Sequence, residues 1–196
     1  MGNVPMIIGA GVGVGFGYGV RAKTFKTYVK DSFDRADATT LGTSETGQIW
    51  ASAMKIANGK AYADAWVTAK INAGYADYEI SCDVTRGIST ACSLGFRLSA
   101  TNDADRMELI LSGSTVQINK KVNFVSTNLG SYTRAYVSGE IIQLKAICVG
   151  SSIKCYVNDQ LIFNITDAEL ITRTYVGIFP NNSTLIKYDN FLVKEV

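Results

Sequence analysis

In the stretch Tyr78-Glu79-Ile80-Ser81-Cys82-Asp83-Val84 every second side chain is apolar, and the same alternation returns in Cys92-Ser93-Leu94-Gly95-Phe96-Arg97-Leu98. A period of two is the strand period, so segments of this kind hide one face and wet the other only as strands of a sheet. Such runs recur at 78–84, 92–98, 106–111, 115–122, 141–149, 153–157, 161–165, 174–179 and 185–193. Short spacing with turn residues between them is the pattern of an all-β sandwich. Ser112-Gly113 predicts one hairpin, Gly150-Ser151-Ser152 a second and Asn158-Asp159-Gln160 a third. In the third, a three-residue loop sets Ile153, Cys155 and Val157 on the same face as Leu161, Phe163 and Ile165. A two-residue loop mismatches them, so the pattern selects the longer one.

The four cysteines, Cys82, Cys92, Cys148 and Cys155, all fall in alternating segments on the apolar parity. They read as buried core thiols, behaving as small hydrophobes, rather than as two disulfides that each need a specific geometry. That reading fits synthesis in a reducing cytoplasm. No CxxC or Cys/His spacing of a zinc site is present.

The beginning of the chain differs from the rest. In GAGVGVGFGYGV, residues 9–20, glycine occupies every second position. A secretory signal wants a basic start and less glycine, and a membrane span wants about 20 apolar residues. A dinucleotide loop needs its third glycine three residues on from the second and a helix after it. An extended arm fits better, with one bare face and one face of Ala10, Val12, Val14, Phe16, Tyr18 and Val20. Such a strand is costly to order alone and orders best when a neighbouring surface buries its apolar side. The reading is an assembly arm carried by Val12, Val14, Phe16, Tyr18 and Val20; the alternative is a flexible glycine-rich leader. Residues 21–30 are basic and partly alternating, as a linker strand would be, so the chain divides into an arm and linker at 1–30 and one domain at 31–196.

Nineteen Lys and Arg stand against seventeen Asp and Glu, a net charge of +2 without long like-charge runs. This is no electrostatic footprint for nucleic acid or an anionic membrane. The absence of histidine from the whole sequence removes Ser-His-Asp and Cys-His catalysis.

Asp31-Ser32-Phe33-Asp34-Arg35-Ala36-Asp37, then Leu41-Gly42 and Thr46-Gly47-Gln48-Ile49-Trp50, resembles the start of concanavalin A-like lectin/glucanase and laminin G-like jelly rolls, including modules of bacteriophage tail and other virion proteins. Gly95-Phe96-Arg97-Leu98, Leu144-Lys145-Ala146, Ile153 to Asp159, Val176-Gly177-Ile178 and Tyr188-Asp189-Asn190-Phe191-Leu192-Val193 follow in the order of that family's core strands. The resemblance covers about residues 31–196. It implies a two-sheet antiparallel jelly-roll sandwich, here with a glycine-rich extended N-terminal arm. It also implies that the first and last strands lie together, with Phe33 and Phe191 meeting in the core and Asp34, Arg35, Asp37 and Asp189 tying the termini.

No cofactor or metal is expected. Calcium is the one candidate weighed, and Asn102-Asp103-Ala104-Asp105 is better spaced for it than Asp31, Asp34 and Asp37; a solvated turn accounts for the same residues. Glucanases of the resembled fold carry alternating acids as Glu-x-Asp-x-x-Glu, which this chain lacks. Glu79 and Asp83 are four apart, and Glu108 stands by itself between Met107 and Leu109, so no catalytic residues are expected. Sugar recognition uses aromatic faces beside amides and charged groups. Trp66, Asn128, Tyr132, Arg134 and Tyr136, with Tyr75, lie in the less patterned stretches where loops belong. Trp50 and Trp66 alternatively fill the core, and the segment 126–138 reads as a solvated loop. Two functions follow. One is a non-enzymatic structural or decorating module of a virion, made in the host cytoplasm and attached by its arm to sister copies or to other virion proteins. The other is a carbohydrate-binding adhesion module for host-surface glycan.

Overall fold

The computed structural model describes residues 24–87, 91–180 and 184–196. The assembly residues Val12, Val14, Phe16, Tyr18 and Val20 lie outside these. Fifteen strands follow in order: β1 Thr27–Asp31, β2 Ala51–Ser52, β3 Lys55–Ala57, β4 Lys60–Tyr62, β5 Ala69–Asn72, β6 Tyr78–Thr85, β7 Cys92–Leu98, β8 Arg106–Ser112, β9 Thr115–Val122, β10 Val125–Thr133, β11 Ile141–Val149, β12 Ser152–Val157, β13 Gln160–Thr166, β14 Tyr175–Pro180 and β15 Lys187–Lys194. They form two antiparallel sheets. One runs β13-β12-β11-β6-β15-β4-β3, with β1 also on β15; the other runs β10-β9-β8-β7-β14-β5-β2. Neither sheet follows chain order, and the long returns between them make the sandwich a jelly roll. Among the described residues no helix is long and apolar enough to cross a membrane.

Each of the nine expected strands is present, with ends shifted by no more than a residue or two. Their buried faces are the apolar parities read from the sequence: Tyr78, Ile80, Cys82 and Val84 on β6, and Ile142, Leu144, Ala146 and Cys148 on β11. All four cysteines are buried free thiols. Burial pushes Cys92 and Cys148 up to about 12 and holds Cys82 and Cys155 well above the ordinary thiol range.

The β12–β13 hairpin differs from the sequence reading. Val157 pairs directly with Gln160, so the loop is the two residues Asn158 and Asp159. Both have positive φ, 48° and 61°, as a two-residue type I′ turn requires. A bulge restores the pattern that this shorter loop would break. Tyr156 pairs with Leu161 but Cys155 pairs with Phe163, leaving Ile162 as the extra residue. Leu161 is consequently exposed, while Phe163 and Cys155 are buried. The segment expected as a loop at 126–138 is half strand: β10 pairs with β9 along its whole length, with a bulge between Asn128 and Gly130. It lacks an alternating apolar face because it is an edge strand with most of its residues exposed.

At the start of the domain, Asp31 is fully buried. Its Oδ1 accepts from the Phe33 N–H at 2.9 Å and from Arg35 Nη1 at 2.6 Å, and its Oδ2 accepts from Arg35 Nη2 at 3.1 Å and Trp50 Nε1 at 2.8 Å. Trp50 is buried and stands between Phe33 and Phe191, at ring-centroid distances of 5.9 and 5.0 Å. The two phenylalanines therefore meet through the indole. Of the residues expected to tie the termini, Arg35 serves Asp31 and also donates to the Leu41 carbonyl at 2.5 Å. Asp189 pairs with Lys60, and Asp37 accepts from the Asn58 N–H at 2.8 Å. The pairing of Asp31 with Phe191 and of Val29 with Val193 makes residues 27–30 part of the domain's sheet. The division expected at residue 31 falls at the end of β1.

Thiols held this far above their usual range are protonated and shielded from reagents. A disulfide-exchange reagent at about pH 8 should leave all four cysteines untouched in the folded chain and titrate all four after denaturation in guanidinium chloride. Rapid labelling of any one in the folded protein would place that strand face outside the core.

Candidate functional site

On β7, β8 and β9 the core takes Leu94, Phe96, Met107, Leu109, Leu111, Val116 and Ile118, all fully buried. Alternation then turns Ser93, Gly95, Arg106, Glu108, Ile110, Gln117, Asn119 and Lys121 to the outer face of the seven-stranded sheet. Antiparallel pairing arranges them in rows. Gly95, Glu108, Asn119 and Asn128 are successive partners across β7 to β10. Phe179, Ser93, Ile110, Gln117 and Ser131 form the next row, starting from β14.

This face is indented beside β5. Trp66, 72% exposed, and Thr68, Arg106, Glu108, Ile110, Lys121 and Phe179 border a cavity of about 360 Å³. The phenyl ring can lie there because β7 carries glycine beneath it, two residues along from Ser93, the partner of Phe179: a Cβ on Gly95 would stand 2.1 Å from Phe179 Cε2. The Arg106 guanidinium sits 5.1 Å from the centre of the same ring. Its Nε is 2.9 Å from Glu108 Oε2, an ion pair whose N–H lies off the line to the oxygen. Ser93 Oγ donates to the other oxygen of Glu108 at 3.2 Å. Arg106 Nη1 donates to the Asp103 carbonyl at 2.5 Å, and the Asp103 carboxylate accepts from Thr68 Oγ1 at 3.2 Å and faces Lys70 at 3.5 Å. Farther along, Asn128 Nδ2 donates to Asn119 Oδ1 at 2.9 Å. The surface combines an exposed indole with alternating amides, hydroxyl, carboxylate and cations. An aromatic platform beside fixed donors and acceptors is suited to a sugar ring, which is apolar on its faces and hydroxylated at its rim.

The six residues singled out from the sequence are not gathered in one place. Trp66 and Asn128 lie on this outer face, and Trp66 is thereby excluded from the core. Tyr132 pairs with Val116 and so faces inward at the edge of the sandwich, 38% exposed. Tyr75 stacks on Tyr28 at 3.9 Å and accepts from Lys26 Nζ at 3.1 Å. Arg134 and Tyr136 lie beyond β10 at one end of the sandwich. Sequence reasoning missed Arg106, Gln117, Asn119 and Lys121, although their signal was present: they are the polar parity of two runs whose other parity is core.

Most carboxylates of the two candidate calcium stretches accept from protein donors, Asp31 and Asp37 of the first among them. Asp105 accepts from the Asn123 N–H and from Arg173 Nη2, both at 2.9 Å, while Asn102 Oδ1 accepts from the Ala104 N–H at 3.0 Å. Among the described residues no group of three or more His, Cys, Asp or Glu is placed to hold a metal ion. As to paired acids, Glu79 faces Lys194 at 3.2 Å and Asp83 accepts from Asn190 Nδ2 at 2.9 Å, both on the other sheet. Glu108, solitary in the sequence, shares its cavity with Asp103.

No protein-family model and no curated protein matches the chain. Solved structures do. A carbohydrate-binding module, CBM66, from Bacillus subtilis superposes with a TM-score of 0.50 at 16% identity, covering 87% of this chain and 91% of that one. A non-specific endo-β-1,3(4)-glucanase of family GH16 gives 0.62 at 7% identity, covering 87% and 91%. The fold is the concanavalin A-like jelly roll. The catalytic domain of an endo-1,3-β-glucanase from Thermotoga petrophila RKU-1 adds a TM-score of 0.57 at 10% identity, covering 89% and 99%. This architecture serves binding modules and hydrolases alike, so the site has to decide the function.

The two aromatic residues of the cavity should respond differently to substitution around them. Trp66→Ala should change the unfolding free energy by less than about 0.5 kcal/mol, the usual range for exposed positions. Gly95→Ala should destabilise by about 1–3 kcal/mol, because the new methyl meets the Phe179 ring. Urea denaturation of both variants checks the pair; equal effects would mean that Phe179 does not rest on β7.

Proposed function

We propose that the chain is a non-catalytic carbohydrate-binding module whose binding surface is the outer face of its seven-stranded sheet. The observation that carries this reading is Trp66, 72% exposed at the lip of a cavity crossed by ordered rows of polar side chains. The fold shared with a carbohydrate-binding module and two glucanases supports it. Hydrolysis needs two carboxyl groups free to exchange protons or attack across the scissile bond. Here Glu108 is paired with Arg106 and Asp103 with Lys70, and no histidine stands in for either.

The test is a glycan array followed by titration with β-1,3- and β-1,4-linked glucan oligosaccharides. A bound glycan should lose affinity about tenfold or more in Trp66→Ala, as expected for removing an aromatic anchor, with no change in thermal midpoint. Release of new reducing ends, abolished by Glu108→Gln, would replace the binding reading with a hydrolase. Absence of any bound glycan would remove it.

The proposal extends to display on a virion, anchored through residues 9–20 to sister copies or to virion structural proteins, with host-surface glycan as the outward partner. The glycine alternation of that segment and the resemblance to virion modules support this extension. Light scattering should give a defined oligomer for the full chain and a folded monomer for a chain beginning at Thr24, which keeps β1 intact. Equal masses would remove self-association through the arm.

A further inference from the structure

Three hairpins of this chain close with two residues at positive φ, and one of them breaks the residue preference of that turn. β3 and β4 are joined by Asn58 and Gly59 (φ 52° and 66°), β12 and β13 by Asn158 and Asp159 (48° and 61°), and β9 and β10 by Asn123 and Phe124 (50° and 65°). A type I′ turn favours Asn-Gly, the pair found between β3 and β4. Phenylalanine at the second position is strained, because its Cβ crowds the backbone in the left-handed region. Burial does not offset that cost, since Phe124 is 69% exposed. A bulky residue held in an unfavourable conformation without gain to the core points to a role outside the fold.

The turn is also fastened in place. The Phe124 N–H donates to the Ala104 carbonyl at 3.2 Å and the Asn123 N–H to Asp105 Oδ1 at 2.9 Å, while Arg173 Nη2 holds the other oxygen of Asp105 at 2.9 Å. These contacts come from the loop that sets Asp103 at the border of the Trp66 cavity. Lys121 joins the two places more directly: its side chain borders the same cavity, and its Nζ lies 5.5 Å from the centre of the Phe124 ring. Arg106, Lys121 and Ser126 are successive partners across β8, β9 and β10, so the outer face continues from the cavity to the turn as a polar strip. Trp66 and Phe124, 72% and 69% exposed, are the two most exposed aromatic side chains among the described residues. One stands at the lip of the cavity and the other past Lys121.

We infer that Phe124 is a second aromatic contact for the ligand of the outer face, which is therefore a linear oligosaccharide running from the Trp66 cavity over Arg106 and Lys121 to the β9–β10 turn. The inference rests on the carbohydrate-binding proposal and adds the extent of its ligand. Strand spacing gives the scale. From β5, just after Trp66, to β9 there are four intervals between neighbouring strands, each of about 4.8 Å, or roughly 19 Å in all. The cavity of about 360 Å³ is near the lower bound for small-molecule pockets, so a chain that reaches the turn has to extend beyond it. The face of a sugar ring laid on the phenyl ring removes apolar surface from water, and a side chain already fixed by its turn loses little freedom when it does so.

The experiment is calorimetric titration of the full chain, and of its Trp66→Ala, Phe124→Gly and Phe124→Tyr variants, with β-1,3- and β-1,4-linked glucan di-, tetra- and hexasaccharides. Phe124→Gly should bind the hexasaccharide about tenfold more weakly than wild type and the disaccharide within about twofold of it. Phe124→Tyr should keep the wild-type affinity at every length, and Trp66→Ala should lose about tenfold even for the disaccharide. The thermal midpoint of Phe124→Gly should equal that of wild type or exceed it by up to about 4 °C, because glycine suits the turn better. A lower midpoint would assign Phe124 to the fold and overturn the inference. Undiminished hexasaccharide binding by Phe124→Gly would overturn it too; if Trp66→Ala loses affinity in the same series, the carbohydrate-binding proposal stands without the second contact. Loss in Phe124→Gly with none in Trp66→Ala would overturn the continuous strip and the role of Trp66 together. No binding of any of these chains also overturns the inference, and the glycan array alone then decides the carbohydrate-binding proposal.

Discussion

The buried carboxylate of Asp31 is the contact on which the arrangement of the sandwich turns. An ion inside a core is expensive unless its lone pairs are taken up, and Asp31 has four donors: a backbone N–H two residues on, both terminal nitrogens of Arg35 and the Trp50 indole. The first bond folds the chain back at Phe33, which has a φ of 55°. The indole bond holds Trp50 where its ring can join Phe33 to Phe191. Because Asp31 also pairs with Phe191 along the β1–β15 ladder, a single side chain fixes the first strand, the last strand and the aromatic centre together. β15 in turn borders β6 and β4, so the register of the larger sheet depends on it.

How far this was legible in the sequence follows from which forces are local. β6, β7, β9 and β11 could be read almost to the residue: β6, β7 and β11 each bury one full parity, and β9 buries Val116 and Ile118 of its own. The β12–β13 hairpin could not, although its apolar residues were recognised correctly. Preserving the inward face of Cys155 and Phe163 admits two solutions, an odd loop or an even loop with a bulge. Asn158 and Asp159 both tolerate positive φ, which favours the second. β10 escaped notice because an edge strand covers little core; its inward Gly130 lets Phe163 of the other sheet approach to 3.0 Å of where a Cβ would stand. The Asp31-Ser32-Phe33-Asp34-Arg35 stretch did signal the domain's start, but the sequence could not say which aspartate was buried.

The sites were less legible than the fold, for a related reason. Trp66 and Asn128 stood out by residue type and do lie on the proposed binding face. Their neighbours Arg106, Glu108, Gln117 and Asn119 are ordinary polar residues of strands, and only the cross-strand register makes them a row. Conversely, Tyr132 has the right chemistry on the wrong parity. Arg134 and Tyr136 stood out by residue type, but Arg86, about fifty residues earlier, lies over the same Tyr136 ring, and no local pattern links the three.

The jelly roll separates stability from recognition because alternation assigns them to different atoms of the same strands. On β8, Met107, Leu109 and Leu111 supply the core while Arg106, Glu108 and Ile110 supply the outer surface. Substitutions on the outer parity mostly change chemistry at little cost to folding, which is how structures with only 7%, 10% and 16% identity to this chain share its architecture. The end of the sandwich beyond β6 follows a different rule. Arg86 holds its turn through Gly113 and Glu140 and lies over the Tyr136 ring, so its charge serves the packing, and a change there alters the fold as well as the surface.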